Sequence, residues 1–303
     1  LAYHGRSRNA QILVPVHVSD NLAPFFSGLR ALRQPQVLAL SGPDAVAFAQ
    51  AQFANDVPSL ADGHWQWNAW LTAKGRVLAV FQLLRLDAGQ LLLVCHDGDI
   101  EAMADQLRRF VFRRKVGIAH ADTLAIEAAL QPPLRAQGAA LAHLEGGVIE
   151  LDVGTAACPR TLHLTTAGSA PHDATAELAW RQWDLRFGLP RLDASQQEQW
   201  TPQQLGLDRL AAYSVKKGCY PGQEIVARTH FLGKAKRSLV LLHGDVASRP
   251  GDTVTQAGAS VGTVASSAGA LALAVLPLDL PAGALEVAGG TVERLDLLDG
   301  LAR

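Results

Sequence analysis

The segment from Lys217 to Glu224 combines a single thiol with residues that favour its ionised form. Pro221 and Gly222 suit the two central positions of a type II turn, and a helix can begin at Glu224. Cys219 would then lie on a tight turn near a helix N-terminus, just after two lysines, and both features stabilise a thiolate. The segment therefore predicts a reactive thiol at Cys219. The alternative is a small buried cysteine packed beside a glycine turn.

A second candidate site is the turn Lys74-Gly75-Arg76, which lies between two apolar segments. A glycine there allows a turn whose backbone N–H groups stay free, and a cation flanks it on each side. Such a turn suits an anionic ligand group. The alternative is an ordinary solvated hairpin tip.

A third candidate is the run from Arg108 to Lys115, which has five basic residues in eight with phenylalanines between them. Cations interleaved with aromatic rings are typical of surfaces that bind RNA phosphate or a polyanionic ligand tail. The alternative is a helix end at which the rings enter the core and the cations favour the C-terminal dipole.

The tryptophans cluster in two parts of the sequence, which could line a pocket for a flat heterocycle. They are Trp65, Trp67, Trp70, Trp180, Trp183 and Trp200. Packing in the core would explain each of them separately, so both interpretations stay open.

Composition excludes several classes of protein. The 303 residues include 27 basic and 28 acidic side chains, so the net charge of −1 excludes a protein that holds nucleic acid by net charge alone. Three widely spaced cysteines argue against a disulfide scaffold, and the sequence contains no C-x-x-C pair of the kind that would indicate a zinc or redox site. The apolar run 12–18 is too short and interrupted for a signal peptide or a membrane span, so a cytoplasmic location is expected.

The elements that must position these residues indicate an α+β fold. Strands are predicted over 37–40, 65–72, 77–86, 91–95, 123–130, 147–153 and 161–165, and helices over 44–53, 100–109, 174–187 and from 224 onward. The polar stretch 195–210 is expected to be partly helical. From about residue 236 onward, short strands recur between Gly- and Pro-containing turns, which predicts a small C-terminal β-barrel.

The segment from Lys217 to Glu224 resembles the K-G-C-[FY]-x-G-Q-E signature of the YgfZ family, which comprises folate-binding factors in iron–sulfur protein maturation related to the glycine-cleavage T-protein. Further segments support the resemblance across most of the chain. They are residues 40–57, the K-G-R turn at 74–76, the R-x-x-x-G-x-P-like region from Trp183 to Pro190, the lead-in 201–208 and Arg228 in V-A-R.

The resemblance implies the aminomethyltransferase fold, in which domains surround a central hole that holds tetrahydrofolate. Residues 1–235 would form the composite folate-binding region, with 37–116 as one subdomain and 1–36 plus 117–235 as the other, and 236–303 would form the barrel. It implies that Lys217, Glu224 and Arg228 accompany the thiol of Cys219. The implied folate-binding residues are Asp56, Trp67, Lys74, Gly75, Arg76, Trp183, Arg186, Tyr220 and Gln223.

One departure from the T-protein bears on the chemistry. T-proteins carry paired aspartates on the strand after the glycine turn, where this chain has Ala79 and Val80. Loss of a catalytic acid or base typically costs 10²–10⁴-fold in rate. The favoured hypothesis is therefore a tetrahydrofolate-binding accessory factor for iron–sulfur proteins, including tRNA-thiolating enzymes, whose Cys219 is a reactive thiol. Its expected partners are iron–sulfur client or assembly proteins, and no stable metal site is expected. Cys219 would act as a transient ligand of a shared cluster, as a sulfur or one-carbon acceptor, or as a redox thiol.

Two alternatives from other classes remain at this point. One is a folate-dependent one-carbon transferase or demethylase of the aminomethyltransferase type. The other is a module that binds RNA or protein through residues 108–115, with a vestigial folate pocket.

Overall fold

The computed structural model describes residues 26–233 and 235–303, so the apolar run 12–18 lies outside the described residues. In chain order, the strands are β1 (Arg30–Leu32), β2 (Gln36–Ser41), β3 (His64–Leu71), β4 (Val77–Asp87), β5 (Gln90–Cys95), β6 (Gly117–His120), β7 (Ala125–Ala129), β8 (Ala142–His143), β9 (Ile149–Asp152), β10 (Thr161–Thr165), β11 (Arg237–His243), β12 (Thr253–Gln256), β13 (Ala259–Ala268), β14 (Leu271–Pro277), β15 (Leu285–Val287) and β16 (Gly290–Leu295). The helices are α1 (Ala45–Gln52), α2 (Ile100–Arg108), α3 (Ala174–Arg186) and α4 (Gln223–Phe231).

The first sheet is antiparallel, with the order β3-β4-β5-β2-β6. Helix α1 is rich in alanine, which favours helix, and it buries Ala45, Phe48, Ala49 and Gln52 at helical spacing. Helix α2 begins where Asp99 Oδ1 accepts a hydrogen bond from the backbone N–H of Ala102 at 3.0 Å. Both helices share one apolar core with this sheet.

The second sheet is also antiparallel, with the order β1-β7-β10-β9-β8. A single large core joins it to the other face of the first sheet and to the inner strands of the barrel. Helix α3 packs against β1 on one side and against β13 and β14 on the other. The two sheets and the barrel therefore enclose the same central part of the molecule.

The C-terminal barrel is closed, with the order β11-β14-β13-β12-β15-β16, and the prediction made from turn spacing is confirmed. It has a core of its own around Val254, Ala274 and Leu276. The three-residue strand β15 has no counterpart in the prediction because Leu-Glu-Val is too short to show a periodic pattern. The same reason accounts for the unpredicted strands β1 and β8.

The stretch 195–210 differs from the prediction. Apart from one short 3₁₀ helix at Ala194–Gln196, it is a series of turns. Its turns are closed by backbone hydrogen bonds, such as Leu207 N–H to the Pro202 carbonyl at 3.0 Å, and by side chains, as where the Thr201 N–H donates to Gln204 Oε1 at 3.0 Å. Within the described ranges, no helix combines the length and apolar character needed to cross a membrane.

Candidate functional site

Two of the candidate segments are in direct contact. The hairpin turn between β3 and β4 packs against the turn that precedes α4, because Gly75 and Gly222 are both glycine with positive φ. A Cβ atom on Gly222 would lie 2.6 Å from the Gly75 Cα and 2.6 Å from the Thr72 carbonyl oxygen. A Cβ on Gly75 would lie 2.9 Å from that of Ile225 on α4. Only glycines allow this approach.

The thiol of Cys219 is exposed, whereas residues on both sides of it are held by hydrogen bonds. Cys219 is exposed and lies four residues before α4. The buried ammonium of Lys217 donates to the carbonyl oxygens of Gln50 (2.7 Å), Phe53 (2.6 Å) and Asn55 (2.9 Å), at the end of α1. Burial lowers the pKa of Lys217 to about 8, against the opposing charge of Asp56. Lys217 therefore ties the turn to α1.

Tyr220 and Gln223 complete this anchoring. Tyr220 is buried, its ring centroid lies 4.9 Å from the Lys217 Nζ, and its hydroxyl donates to the Ser214 carbonyl at 3.3 Å. Burial raises the pKa of Tyr220 to about 12, so the hydroxyl keeps its proton. Gln223 Nε2 donates to the Lys217 carbonyl at 2.8 Å. These contacts fix the loop from both ends.

Other predicted site residues near this turn bond to neighbouring protein groups or are exposed. Gln50 Nε2 donates to Asp56 Oδ1 at 3.0 Å, beside the anchored Lys217. Arg76 reaches the carbonyl of Gln199 at 2.8 Å. Lys74 is exposed at the hairpin tip. On the exposed face of α4, Arg228 and Glu224 form an ion pair at 3.1 Å with each other.

Three of the sequence-predicted folate residues make their side-chain contacts with residues other than those of the Cys219 turn. The Arg186 guanidinium stacks on the Trp183 ring at 4.9 Å, and burial lowers the pKa of Arg186. Trp67 is buried, and its indole N–H donates to the Leu301 carbonyl at 2.8 Å. The Trp67 ring lies 6.1 Å from the imidazole of His96, a residue that sequence reasoning did not single out.

His96 belongs to the lining of a cleft of about 430 Å³ that the sequence did not reveal. The cleft is lined by Gln34, His96, Asp97, Gly98, Asp99, Arg181, Asp193 and Ala194. A smaller adjoining cavity shares Asp97, Gly98 and Asp99 and adds Ala79 of β4 and Gln197. None of the residues that the sequence assigned to folate lines either cavity.

Two buried polar atoms in the cleft lining have no hydrogen-bond partner among the described residues. Burial, together with the charge of Arg191, lowers the pKa of His96 to about 3, so the ring is neutral near pH 7. Its Nε2 lies 3.0 Å from Gln82 Oε1 and donates to it, which leaves Nδ1 as an unpartnered acceptor. Nε of Arg181 is an unpartnered donor, although its Nη2 reaches the Ser267 carbonyl. Unmet buried polar atoms commonly mark a missing ligand or water.

A buried charge network holds the wall of the cleft. Arg191 Nε donates to Asp97 Oδ2 at 2.9 Å, and Arg191 also pairs with Asp184, which in turn pairs with Arg160. Burial raises the pKa of Asp97, although Arg191 opposes the shift. Burial alone would also raise the pKa of Asp184, but the two arginines outweigh it and hold that pKa low. The network fixes Asp97 at the end of β5.

One local signal could have indicated this cleft. His96, Asp97 and Asp99 follow directly on the apolar strand β5, and polar residues at a strand end often line a site. Among the other contributors, Gln34 lies about 60 residues earlier in the chain, and Arg181 on α3 and Asp193 lie about 80–100 residues later. No spacing pattern in the sequence links them to β5.

The described ranges hold no group of three or more His, Cys, Asp or Glu side chains placed to bind a metal ion. All three cysteines are free. Cys95 is buried, Cys158 is half-buried and Cys219 is exposed. A metal centre at Cys219 would therefore need ligands from outside the described residues.

Comparison with known proteins agrees with the architecture. Residues 236–295 match the family model "CAF17, C-terminal beta-barrel domain". The crystal structure of the glycine cleavage system aminomethyltransferase T from Bartonella henselae superposes with a TM-score of 0.71 at 17% identity, covering 90% of this chain and 86% of that one. The chain thus has the aminomethyltransferase fold, as predicted.

Sequence relatives give the family. The tRNA-modifying protein YgfZ of Edwardsiella ictaluri is 30% identical over 231 residues, which cover 70% of this chain and 69% of the relative. The protein of the same name from Vibrio vulnificus is 28% identical over 222 residues, covering 70% and 68%. With the signature at 217–224 in its anchored turn, these relatives show that the chain belongs to the YgfZ family.

Proposed function

We propose that this protein is a cytoplasmic tetrahydrofolate-binding factor that supports tRNA modification, by maturing or repairing the iron–sulfur enzymes that thiolate tRNA. Its membership of the YgfZ family supports the link to tRNA, since the relatives are named tRNA-modifying proteins. The aminomethyltransferase fold supports a folate ligand. Three free cysteines suit a reducing compartment.

The unpartnered polar atoms in the cleft carry the folate part of the proposal. A pterin ring presents N–H donors and a carbonyl acceptor along one edge. His96 Nδ1 offers an acceptor and Arg181 Nε offers a donor, both buried in the lining and without a partner among the described residues. The volume of about 430 Å³ is within the usual range for a small-molecule site. The residues present therefore fit the group.

Asp97 and Arg181 would fix the orientation of the ligand. The Asp97 carboxylate is held in place by Arg191, so it can accept from a pterin N–H without moving. Arg181 Nε would donate to the pterin carbonyl from the α3 side of the cleft. Tetrahydrofolate, when bound, supplies a carrier for one-carbon units. This placement differs from the expected position beside Asp56 and the hairpin turn at 74–76, whose residues do not line the cleft.

The lining of the smaller cavity argues against a classical aminomethyl transferase. Ala79, at the position where the T-protein has an acid, contributes a methyl group to that lining. Two carboxylates line the same cavity, but Asp97 is paired with the buried Arg191 and Asp99 accepts from the Ala102 N–H at the start of α2. We therefore infer that folate is bound here without an acid on β4 to assist transfer.

Cys219 is the proposed contact to iron–sulfur substrates. Its thiol is exposed while Lys217, Tyr220 and Gln223 hold the turn, so the thiol is presented on a fixed loop. Iron–sulfur clusters usually take four cysteine ligands. One thiol can therefore ligate a cluster only in transit, with the remaining ligands on a client or assembly protein.

Calorimetric titration with reduced tetrahydrofolate under anaerobic conditions tests the folate site. We expect saturable binding by the wild-type protein and binding at least tenfold weaker by Arg181→Met, because a hydrogen bond to a charged group contributes roughly 1.5–3 kcal/mol. The matched control is Arg249→Met, an exposed arginine on the barrel. Equal affinities for all three proteins, or no binding by any, would contradict the proposed site.

A further inference from the structure

The loop between α2 and β6 exposes an aromatic ring in an unusual backbone conformation. Phe112 is 85% exposed and has a φ of +48°, in the left-handed region that bulky residues rarely adopt. Phe110 is 44% exposed. The alternative interpretation, in which both rings enter the core, is therefore wrong, because both rings lie in the exposed loop that follows the end of α2 at Arg108. Residues 109–115 form what we call the basic loop.

Three cations of the basic loop have no acidic partner within the described residues. They are Arg109, Arg113 and Lys115, and all three are exposed. The two other cations of the run have structural contacts. Arg108 pairs with Asp105 at 2.6 Å, and Arg114 donates to the Ala47 carbonyl. The loop therefore carries a local positive charge on a nearly neutral protein.

The basic loop is held firmly against the start of α1. Asp44 Oδ2 accepts from the Lys115 N–H at 2.6 Å, and the Asp44 N–H donates to the Lys115 carbonyl at 3.3 Å. A Cβ on Gly42 would lie 2.3 Å from that carbonyl, so the two backbones touch. The exposed ring of Phe112 is thus presented by an anchored backbone beside a cleft that Ala47 and Arg113 also line.

We infer that the basic loop binds an unpaired segment of RNA, with a base stacked on Phe112 and the flanking phosphates on Arg109, Arg113 and Lys115. Unstacked bases of RNA loops are commonly bound on exposed aromatic rings. Cations without carboxylate partners are free to contact phosphate. Asp44, the carboxylate in the cleft lining, accepts from the Lys115 backbone N–H and keeps its negative charge, so it offsets one of the exposed cations and the loop stays positive.

This inference rests on the proposed role in tRNA modification and gives it an RNA contact. Helix α1 connects that contact to the thiol. Its first residues hold the basic loop, and Lys217 binds the carbonyls at its other end. Eight helical residues span about 12 Å. The RNA surface and the Cys219 turn are therefore separated by one short helix, close enough for a client enzyme to contact both.

Fluorescence anisotropy on the full chain tests the inference, with a labelled RNA stem–loop and a fully paired duplex of the same stem as probes. Phe112→Ala should weaken binding of the stem–loop about tenfold, in the lower part of the range for loss of one stacked base, and leave the duplex unchanged. Leu278→Ala, an equally apolar exposed side chain on the barrel, is the control and should change neither.

The cations are tested by the salt dependence of the same binding. A triple variant, Arg109→Gln/Arg113→Gln/Lys115→Gln, removes the three cations. The slope of log K against log salt should become shallower by about 2, because each single-strand phosphate that is no longer neutralised contributes ~0.7. Arg33→Gln/Arg249→Gln/Arg294→Gln removes the same charge from other exposed positions and should leave the slope nearly unchanged.

Three outcomes would overturn the inference. Wild-type protein that binds neither probe excludes the RNA surface, and equal losses of affinity in the loop triple variant and its control show attraction by net charge only. An unaltered stem–loop affinity in Phe112→Ala excludes stacking.

Tetrahydrofolate titration of the loop variants separates failure of this inference from failure of the proposed function. If wild-type protein binds tetrahydrofolate but not RNA, only the inference about the basic loop is refuted. If wild-type protein binds RNA but not tetrahydrofolate, only the proposed folate site is refuted.

Discussion

Gly75 and Gly222 are in backbone contact, although 146 residues separate them in the chain. A Cβ placed on Gly222 would lie 2.6 Å from the Gly75 Cα. The hairpin tip with its two cations and the turn that presents Cys219 therefore form one unit. The contact places the turn that presents Cys219 directly beside the hairpin tip that carries Lys74 and Arg76.

Gly222→Ala should destabilise the protein by roughly 1–3 kcal/mol more than Gly146→Ala, the typical cost of overpacking. Both glycines have positive φ, +83° and +75°, so both variants carry the backbone strain of that region. Only at Gly222 would the new Cβ meet other atoms, since nothing lies within 4 Å of it at Gly146. Denaturant unfolding measures the difference. Equal destabilisation of the two variants would show that the contact is not tight.

Lys217→Met should destabilise the protein by about 3 kcal/mol, whereas Lys216→Met should change stability by less than about 0.5 kcal/mol. The first variant leaves three carbonyl oxygens at the end of α1 without their shared donor. The second removes an exposed cation from the neighbouring position. Urea unfolding of both variants checks the prediction. A stable Lys217→Met variant would mean that water replaces the ammonium.

Native protein treated with a thiol-alkylating reagent should be modified first at Cys219, more slowly at Cys158 and not at Cys95. Cys219 is exposed, while burial raises the pKa of Cys158 and raises that of Cys95 to about 12. The thiolate is the reactive form, so the raised pKa values slow Cys158 and Cys95, while access favours Cys219. Peptide mapping by mass spectrometry gives the order, and denatured protein, in which all three should react, is the control. Early labelling of Cys95 would contradict the packing of β5.

Stability should fall with acidification partly because of His96. The pKa of His96 is about 3 in the folded protein against an ordinary value of 6.5. Between these two pH values the unfolded chain binds a proton that the folded chain does not, so stability is lost as pH falls from about 6.5 to about 3. This loss is at most roughly 1.4 kcal/mol per pH unit for one group.

His96→Gln should therefore show a flatter dependence of unfolding free energy on pH across that window. His143→Gln, which alters an exposed histidine on β8, should keep the wild-type curve. Chemical unfolding at a series of pH values compares the three proteins. Parallel curves for wild type and His96→Gln would show that the imidazole is protonated in the folded state.

Local features of the sequence were enough to predict most elements. The Ala- and Phe-containing pattern of 44–53 and the apolar runs of β4 and β5 follow from contacts within a few residues, and α1 ends within a residue of its predicted bound. The barrel was predicted from the regular spacing of its turns. The resemblance at 217–224 identified the Cys219 segment but not its anchoring, since Lys217 reaches carbonyls about 160 residues earlier in the chain.

The cleft could not be predicted because it is assembled from distant segments. The donor on Arg181 and the acceptor on His96 come from α3 and from the end of β5. The sequence offers both Asp97 and Asp99 as caps of the helix that follows β5; Asp99 caps α2, whereas Asp97 pairs with Arg191. That pairing depends on tertiary packing, which local propensity does not encode.

The folate cleft and Cys219 are proposed to serve one activity in tRNA modification. The most direct test is the level of thiolated nucleosides in tRNA, measured by mass spectrometry. The cells compared have their own copy of the gene deleted and express wild type, Cys219→Ser, Arg181→Met or Arg249→Met in its place. We predict that wild type and Arg249→Met restore the nucleosides, and that Cys219→Ser and Arg181→Met, expressed at the same level, do not. Full restoration by both Cys219→Ser and Arg181→Met would contradict the proposal.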